Sequence, residues 1–541
     1  MSPQNLSVGA RIQLDTYLAT VRYIGPVGSH SGDWLGVEWD DPSRGKHDGS
    51  LEGVRYFTCR HPKGGSFIRP SPKIQVGRPF LEALREKYQD SDVSDSASTQ
   101  EVDVKLIGKF GENAIETVGF DRVRRQMSQL DRLRLVGLDF MRVSTAGDPG
   151  EILETCPNIT ELDLSWNLLS NWEEVANITK QLLNLVVLRL DSNHLQSLSS
   201  PPNFHNAFSK LTTLSLNKTY TSWAQMELLE PHLPALEALH LGFNQIHHLS
   251  SDSATPKVTG FSRLKLLNLE HNAIESSGEI LRLSMLPSLE QLSLNSNPIN
   301  KLEFHSEQGE VFFPRLRYLN ISELPLTNWS DIDAVGQWLQ VRDLRARKLP
   351  VYKGIGAEML DVQLVGRVPN LEIVNGSSLT PQAREDMERY FLKWVVERAS
   401  STNVKPESLV WRYAELCKAY GVPVVDELAK KAASTTLKNR LVEITISSRE
   451  TLKGPPIKAV DRKLLSTLTV RNLRLQIIPR LLGVPLARQG KLYCIQHLKN
   501  RQMNLQADRE GQFVLELDDE LRQLQFYDVE TGDEVVVLVG S

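Results

Sequence analysis

The chain has 541 residues, 40% hydrophobic and 24% charged, with a formal charge of −4 at pH 7. Such a length implies roughly three to five folding units, and the near-balanced charge gives no general attraction to nucleic acid or membrane. No apolar run approaches the roughly 18 residues of a spanning helix, Met1-Ser-Pro-Gln-Asn-Leu-Ser has no leader pattern, and four scattered cysteines (Cys59, Cys156, Cys417, Cys494) exclude a disulfide scaffold or a Cys-x-x-Cys metal site. A reduced, cytoplasmic, multidomain protein without metal or cofactor is expected.

Residues 1–80 carry short alternating apolar runs, at Arg11-Ile-Gln-Leu14, Ala19–Ile24 and Trp34–Trp39, between Gly- and Pro-rich turns. They predict a small all-β barrel. Phe80, Leu81, Leu84 and Tyr88 have helical spacing, and the polar, acidic residues 89–103 follow; residues 81–129 therefore read as a helix and an acidic flexible linker.

Over residues 130–376 the frame Leu-x-x-Leu-x-Leu-x-x-Asn-x-Leu recurs, with Asn167, Asn193, Asn244, Asn272 and Asn297 at its polar position and Val143, Thr219, Leu324 and Leu349 in degenerate copies. The steps between these positions, 24–28 residues, are those of leucine-rich repeats, and predict an α/β solenoid. The Asn side chain bonds backbone groups where each strand turns away. Residues 377–437 read as a helical cap, centred on 386–396, and a helical connector at 409–420. The last unit, 438–541, reads as an α+β roll: a strand at Leu441–Ile446, a helix from Val470 to Leu482 stopped by Gly483, and strands at Leu492–Ile495 and Asp533–Val539.

The most informative run is Gly45-Lys46-His47-Asp48-Gly49, two glycines around a cation, with Trp34, Trp39, Tyr56, Phe57 and Phe67 near it in sequence. Its amides can turn outward as an anion nest beside an aromatic groove. That suits a peptide C-terminus ending in an aromatic residue behind acidic ones. The same residues also fit ordinary turns and a barrel core. Residues 1–80 hold ten Lys/Arg against seven Asp/Glu, which favours an acidic ligand. No Gly-x-x-x-x-Gly-Lys-Ser/Thr frame is present, so a nucleotide phosphate is not expected there. On the solenoid, Arg189, Lys218, Lys265, Arg317, Arg342, Arg345, Arg347 and Lys348 form a basic set interrupted by Glu161, Asp163, Glu237, Glu290 and Glu323, readable as a solvated face or as a docking surface.

Gly45–Gly49, followed by Gly64 to Pro70, resembles the CAP-Gly domain, whose Gly-Lys-Asn-Asp-Gly stands here with His47 in place of Asn. The resemblance implies binding of acidic, aromatic-ended C-termini such as that of α-tubulin. Lys46 would then attract the carboxylate and Gly45 and Gly49 shape the nest. His47 and Asp48 would hydrogen-bond the loop, and Trp34, Phe57 and Phe67 would wall the groove. His47 is expected to add charge near pH 6–7 and raise affinity on mild acidification. The C-terminal roll resembles ubiquitin-like domains, and Gly540-Ser541 lacks the paired terminal glycines of conjugation, so a docking module is expected.

The combination of a CAP-Gly barrel, a leucine-rich-repeat solenoid and a ubiquitin-like roll resembles the tubulin-folding cofactor E family. That resemblance implies a non-enzymatic chaperone in the cytoplasm, associated with the cytoskeleton. It would bind α-tubulin by its tail in the CAP-Gly groove and by its body on the repeats, at Arg317, Arg342, Arg345 and Arg347. With other tubulin cofactors it would assemble and dissociate the αβ heterodimer. The flexible linker is expected to couple the two sites through effective concentration. The ubiquitin-like end would dock another cofactor or the proteasome; nucleic acid and membrane are not expected partners. The alternatives are a microtubule-associated adaptor linking tubulin to the ubiquitin–proteasome system, and a thiol enzyme resting on Cys59 and His61.

Overall fold

The structure, a computed structural model, describes residues 6–89, 129–250, 258, 260–304, 312–421, 441–497 and 512–539. It divides into two compact units, Met1–Val351 and Tyr352–Ser541. Among the described residues no helix is long and apolar enough to cross a membrane.

The first unit opens with an antiparallel sheet in the spatial order Gly65–Ile68, His30–Trp39, Tyr17–Val27, Arg11–Leu14, Ile74–Val76. Side chains alternate across a strand. Ile12, Ala19, Val21, Leu35, Val37 and Trp39 therefore share one face and form the core with Ile74. Arg11, Thr20, Glu38 and Gly36 lie on the other face.

The helix Phe80–Tyr88 buries Phe80, Leu81, Ala83 and Leu84. It covers the open end of the solenoid: Arg78 pairs in parallel with Val143, Lys87 Nζ is 3.0 Å from Asp139, and the Gly137 amide donates to Tyr88 Oη at 3.1 Å. Residues 90–128, most of the expected linker, lie outside the described residues.

A ladder of three-residue parallel strands then runs from Leu135–Gly137 through Glu161–Asp163, Val187–Arg189, Thr213–Ser215, Ala238–His240, Leu266–Asn268, Gln291–Ser293 and Tyr318–Asn320 to Asp343–Arg345. The central Leu of each inner strand is buried, because one repeat hides its leucines only against the next. The frame asparagines close each turn. Asn167 Nδ2 donates to the carbonyls of Leu164 and Leu138 at 2.9 and 2.8 Å while its Oδ1 accepts from the Val143 amide. Asn193, Asn244, Asn272 and Asn297 repeat the donation to earlier leucine carbonyls.

In the second unit the helix Pro381–Thr402 packs with Ala357–Arg367 and Tyr413–Tyr420 around Val362, Phe391, Leu392, Val395 and Leu416. The connector read at 409–420 is two short helices, Pro406–Leu409 and Tyr413–Tyr420, and Arg412 between them is buried against Glu388 and Glu415. The roll that follows has sheet order Lys458–Leu465, Leu441–Arg449, Glu534–Val539, Gln489–His497, Gln512–Glu516, with its central pair parallel. Its helix starts at Val470 and passes through a π segment, Leu473–Ile477. Pro479, which has no amide to donate, lies just beyond that segment, and the helix ends at Gly483 with φ 75°. Phe526 of this roll rests on Tyr390, and Lys393 pairs with Asp528 at 2.8 Å, so roll and helices share an apolar and an ionic contact. Gly540 and Ser541 lie outside the described residues.

Candidate functional site: an aromatic face on the N-terminal sheet

The loop Gly45–Gly49 lies against the edge of the sheet. The amides of Lys46 and His47 donate to Gly65 O at 2.7 and 3.2 Å, and Gly65 returns a bond to His47 O. Gly45 N donates to Pro42 O, Gly49 N to His47 Nδ1 at 3.0 Å, and Ser50 N to Asp48 Oδ1. The expected anion nest is therefore corrected: these amides are spent inside the fold. The two glycines serve close approach instead. A Cβ on Gly45 would meet Lys63 O at 2.0 Å, and Gly49, at φ 97°, would set one 2.1 Å from Phe57 O. Asp48 is tied within the loop to the Ser50 amide and to Arg55 Nη2 at 2.8 Å.

The loop presents a cluster of rings. His47 stacks on Phe67 with centroids 4.8 Å apart, and Phe57, Tyr56 and Tyr23 meet Phe67 edge-on at 5.5, 5.3 and 6.5 Å. Edge-to-face packing holds these rings in fixed planes. Phe57 is buried; Tyr23, Tyr56, Phe67 and His47 are half-exposed. Gly36, paired with both Tyr23 and Phe67, makes the space, since a Cβ there would lie 2.4 Å from Phe57. Trp34 extends the same face two residues along the strand; it touches His30 and carries Arg69 4.2 Å over its ring. Lys46 and Arg69 are exposed and meet no carboxylate among the described residues, so both remain available to an anion. Tyr23, Gly36 and Arg69 were not singled out from sequence, although the facing of strands Tyr17–Val27 and His30–Trp39 is what brings them in.

His47 departs from expectation in charge. Burial, together with Lys46 and against the pull of Asp48, lowers its pKa. Nδ1 accepts from the Gly49 amide, which leaves the proton of the neutral ring on Nε2. The ring is thus a neutral donor near pH 7, not an added cation. Thiol chemistry has no support either. Burial and the nearby Glu38 push Cys59 up to about 11, and His61 Nδ1 is occupied by the Lys63 amide. Among the described residues no group of His, Cys, Asp or Glu is arranged to hold a metal.

The same sheet face continues into the repeats. Arg11, wholly buried, forks onto Asp40 with both bonds at 2.5 Å, and His194 Nδ1 lies 3.0 Å from Asp40 Oδ1. Glu38 holds Arg22 and the Arg60 amide, and the Arg60 guanidinium stacks on Tyr220 at 4.3 Å. Burial would raise the Asp40 carboxyl, but Arg11 and His194 outweigh it and hold it well below the usual carboxylate range. The N-terminal sheet is thus fastened to the repeats and not simply tethered through a flexible linker.

Four of the eight basic residues expected on the solenoid meet a carboxylate. Arg189 faces Glu161, Lys265 meets Glu237 at 2.8 Å, Arg345 meets Asp343 at 2.9 Å and Lys348 meets Glu323 at 2.6 Å. Arg317, Arg342 and Arg347 are exposed.

The family model of the CAP-Gly domain matches residues 8–72. Tubulin-specific chaperone E of Mus musculus is 34% identical over 544 residues, 98% of each chain. Tubulin-folding cofactor E of Arabidopsis thaliana is 31% identical over 470 residues, 85% of this chain and 86% of its own. A solved structure, the Bik1 CAP-Gly domain with an ETF peptide from Bim1, is 35% identical over 12% of this chain and 75% of that one, with a TM-score of 0.11. With a third of its residues shared along nearly the whole length of its mammalian relative, the chain belongs to the tubulin-specific chaperone E family.

Proposed function

We propose that this chain is a tubulin-folding chaperone, working in the cytoplasm on cytoskeletal tubulin, that holds α-tubulin at two places without catalysing a reaction. The observation that carries the reading is the half-open ring cluster of Tyr23, Tyr56, Phe57, Phe67 and His47 with Lys46 and Arg69 exposed around it. A terminal aromatic side chain packs against those rings, and the acidic residues before it face the two cations. The body of the subunit then lies over the repeats. Preferential binding of free α-tubulin draws the αβ heterodimer apart by mass action and needs no nucleotide. Assembly, the reverse, proceeds with other tubulin cofactors, and the ubiquitin-like roll docks one of them or the proteasome.

The test is gel filtration of purified αβ-tubulin with the full chain and with its Lys46→Glu/Phe67→Ala variant. A chaperone shifts the dimer peak and the variant does so much less. Co-sedimentation with microtubules while the dimer stays whole would favour the adaptor reading instead.

A further inference from the structure

Each turn of the solenoid sets a residue other than glycine in the left-handed region, at Phe140 three positions before Val143 and otherwise just before the frame asparagine or its substitute. These residues are Phe140, Trp166, Ser192, Lys218, Phe243, His271, Ser296, Glu323 and Lys348, with φ between 49° and 61°. The bend lets the amide reach the next repeat: Trp166 N donates to Asp191 O at 2.9 Å, and Lys218 N and Phe243 N to Gly242 O and Glu270 O at 3.0 Å. Asn, Asp or Gly takes this conformation at least cost, whereas an aromatic residue is strained there. Yet three of the first five are aromatic, and they are not core residues: Phe140 is 62% exposed, Trp166 37% and Phe243 39%. They form a row. Phe140 stacks on Trp166 at 5.4 Å, Phe243 stacks on His271 at 4.2 Å, and the Lys218 ammonium stands between the two pairs, 5.8 Å from Trp166 and 5.5 Å from Phe243. Lys218, unlike Arg189, Lys265, Arg345 and Lys348, meets no carboxylate among the described residues.

We infer that the row Phe140, Trp166, Lys218, Phe243 and His271 is the surface that receives the folded body of the same protein whose acidic tail enters the ring cluster, an inference that rests on the function proposed above. Two features name that occupant. An exposed cation flanked by ring faces calls for a carboxylate with apolar neighbours, which an acidic folded protein offers. The row also continues the contact that fastens the N-terminal sheet. Tyr220, which carries Arg60, lies two residues past Lys218, and Glu38, which holds Arg60, lies two residues from Gly36 on the face of the ring cluster. Ring cluster and row thus belong to one fastened body, and a client held by its tail is presented to the row at high effective concentration. Strain retained at exposed positions is the mark of a binding surface rather than of packing.

The experiment compares the full chain with two variants, Trp166→Asn/Phe243→Asn and Lys218→Glu, by affinity for αβ-tubulin, affinity for a synthetic acidic, aromatic-ended tail peptide, and Tm. Asn suits the left-handed bend, so the double variant is expected to keep or raise Tm and leave peptide affinity unchanged while binding tubulin at least tenfold more weakly. Lys218→Glu should weaken tubulin binding most at low salt. Unchanged tubulin affinity in both variants would overturn the inference. So would a fall in Tm, which would make the rings part of the packing. Failure of the wild-type chain to bind tubulin at all sinks the proposed function together with this surface. If Lys46→Glu/Phe67→Ala weakens tubulin binding and the row variants do not, this surface alone falls.

Discussion

The repeat ladder and the N-terminal sheet solve one problem, where buried polar groups find partners, in opposite ways. In the ladder Asn167, Asn193, Asn244, Asn272 and Asn297 each donate to a leucine carbonyl of the preceding repeat, so one residue type at one spacing does the same work five times. In the sheet the buried charged groups have partners of their own: Arg11 has Asp40, Asp40 has His194, Glu38 has Arg22 and Arg60. Repetition spreads the load over neighbours; a unique cluster concentrates it. Substitutions in the two regions should therefore differ in size and in reach.

The largest effect is expected from Arg11→Ala. It leaves the half-buried Asp40 with His194 alone, and breaking such a pair costs about 3–5 kcal/mol. Chemical denaturation should show the N-terminal sheet unfolding before the repeats in the variant but together with them in the native chain; a single shared transition in both would deny that the ion cluster couples the two regions. Asn244→Ala should cost less, about 1–3 kcal/mol, because it leaves the Thr219 amide without a partner and the Leu216 carbonyl with only the Thr219 hydroxyl, while adjacent turns keep theirs. Hydrogen exchange should locate that loss in the flanking repeats, and exchange spread evenly along the solenoid would contradict it.

A smaller effect comes from pH. Burial lowers the pKa of both His47 and His194, with Lys46 adding to the first and Arg11 to the second. An unfolded chain takes up these protons near pH ~6.5, and the folded sites resist them. Stability is thus fully present above that pH and falls as acidification proceeds from there through the lowered folded values. Asp40, depressed as well, adds a second loss only at pH values below its unfolded value of about 4. Thermal melts between pH 8 and 5 measure this, and Tm rising on acidification would reverse the sign. Tail-peptide affinity should stay level between pH 8 and 7, since His47 is neutral there. The smallest effect is expected at Lys265→Gln, whose exposed partner Glu237 also meets Arg263; Tm should not move measurably.

The same contrast explains what was legible in the sequence. A ladder announces itself by period, so the asparagine positions and the solenoid could be read from spacing, and the rings of the sheet from their nearness in sequence to Gly45–Gly49. The fate of the Gly45–Gly49 amides could not, because it depends on Gly65, which reaches the loop only when strand Gly65–Ile68 pairs with His30–Trp39. His194 and Tyr220 read as repeat residues, and nothing local to them signals that Asp40 and Arg60 arrive from far earlier in the chain. The neutralised part of the basic set was hidden for a related reason: Lys265 and Glu237 are 28 residues apart and become neighbours only when the repeats stack.

The helix Phe80–Tyr88 has one more consequence. Its last residue, Tyr88, lies beside Gly137, seven positions after the turn that starts at Leu130. Covalent continuity between the two points is therefore not what unites the halves. A protease cut anywhere in residues 90–128 should give two fragments that stay associated through Arg11, Asp40, His194 and the helix itself, and migrate apart only once denatured.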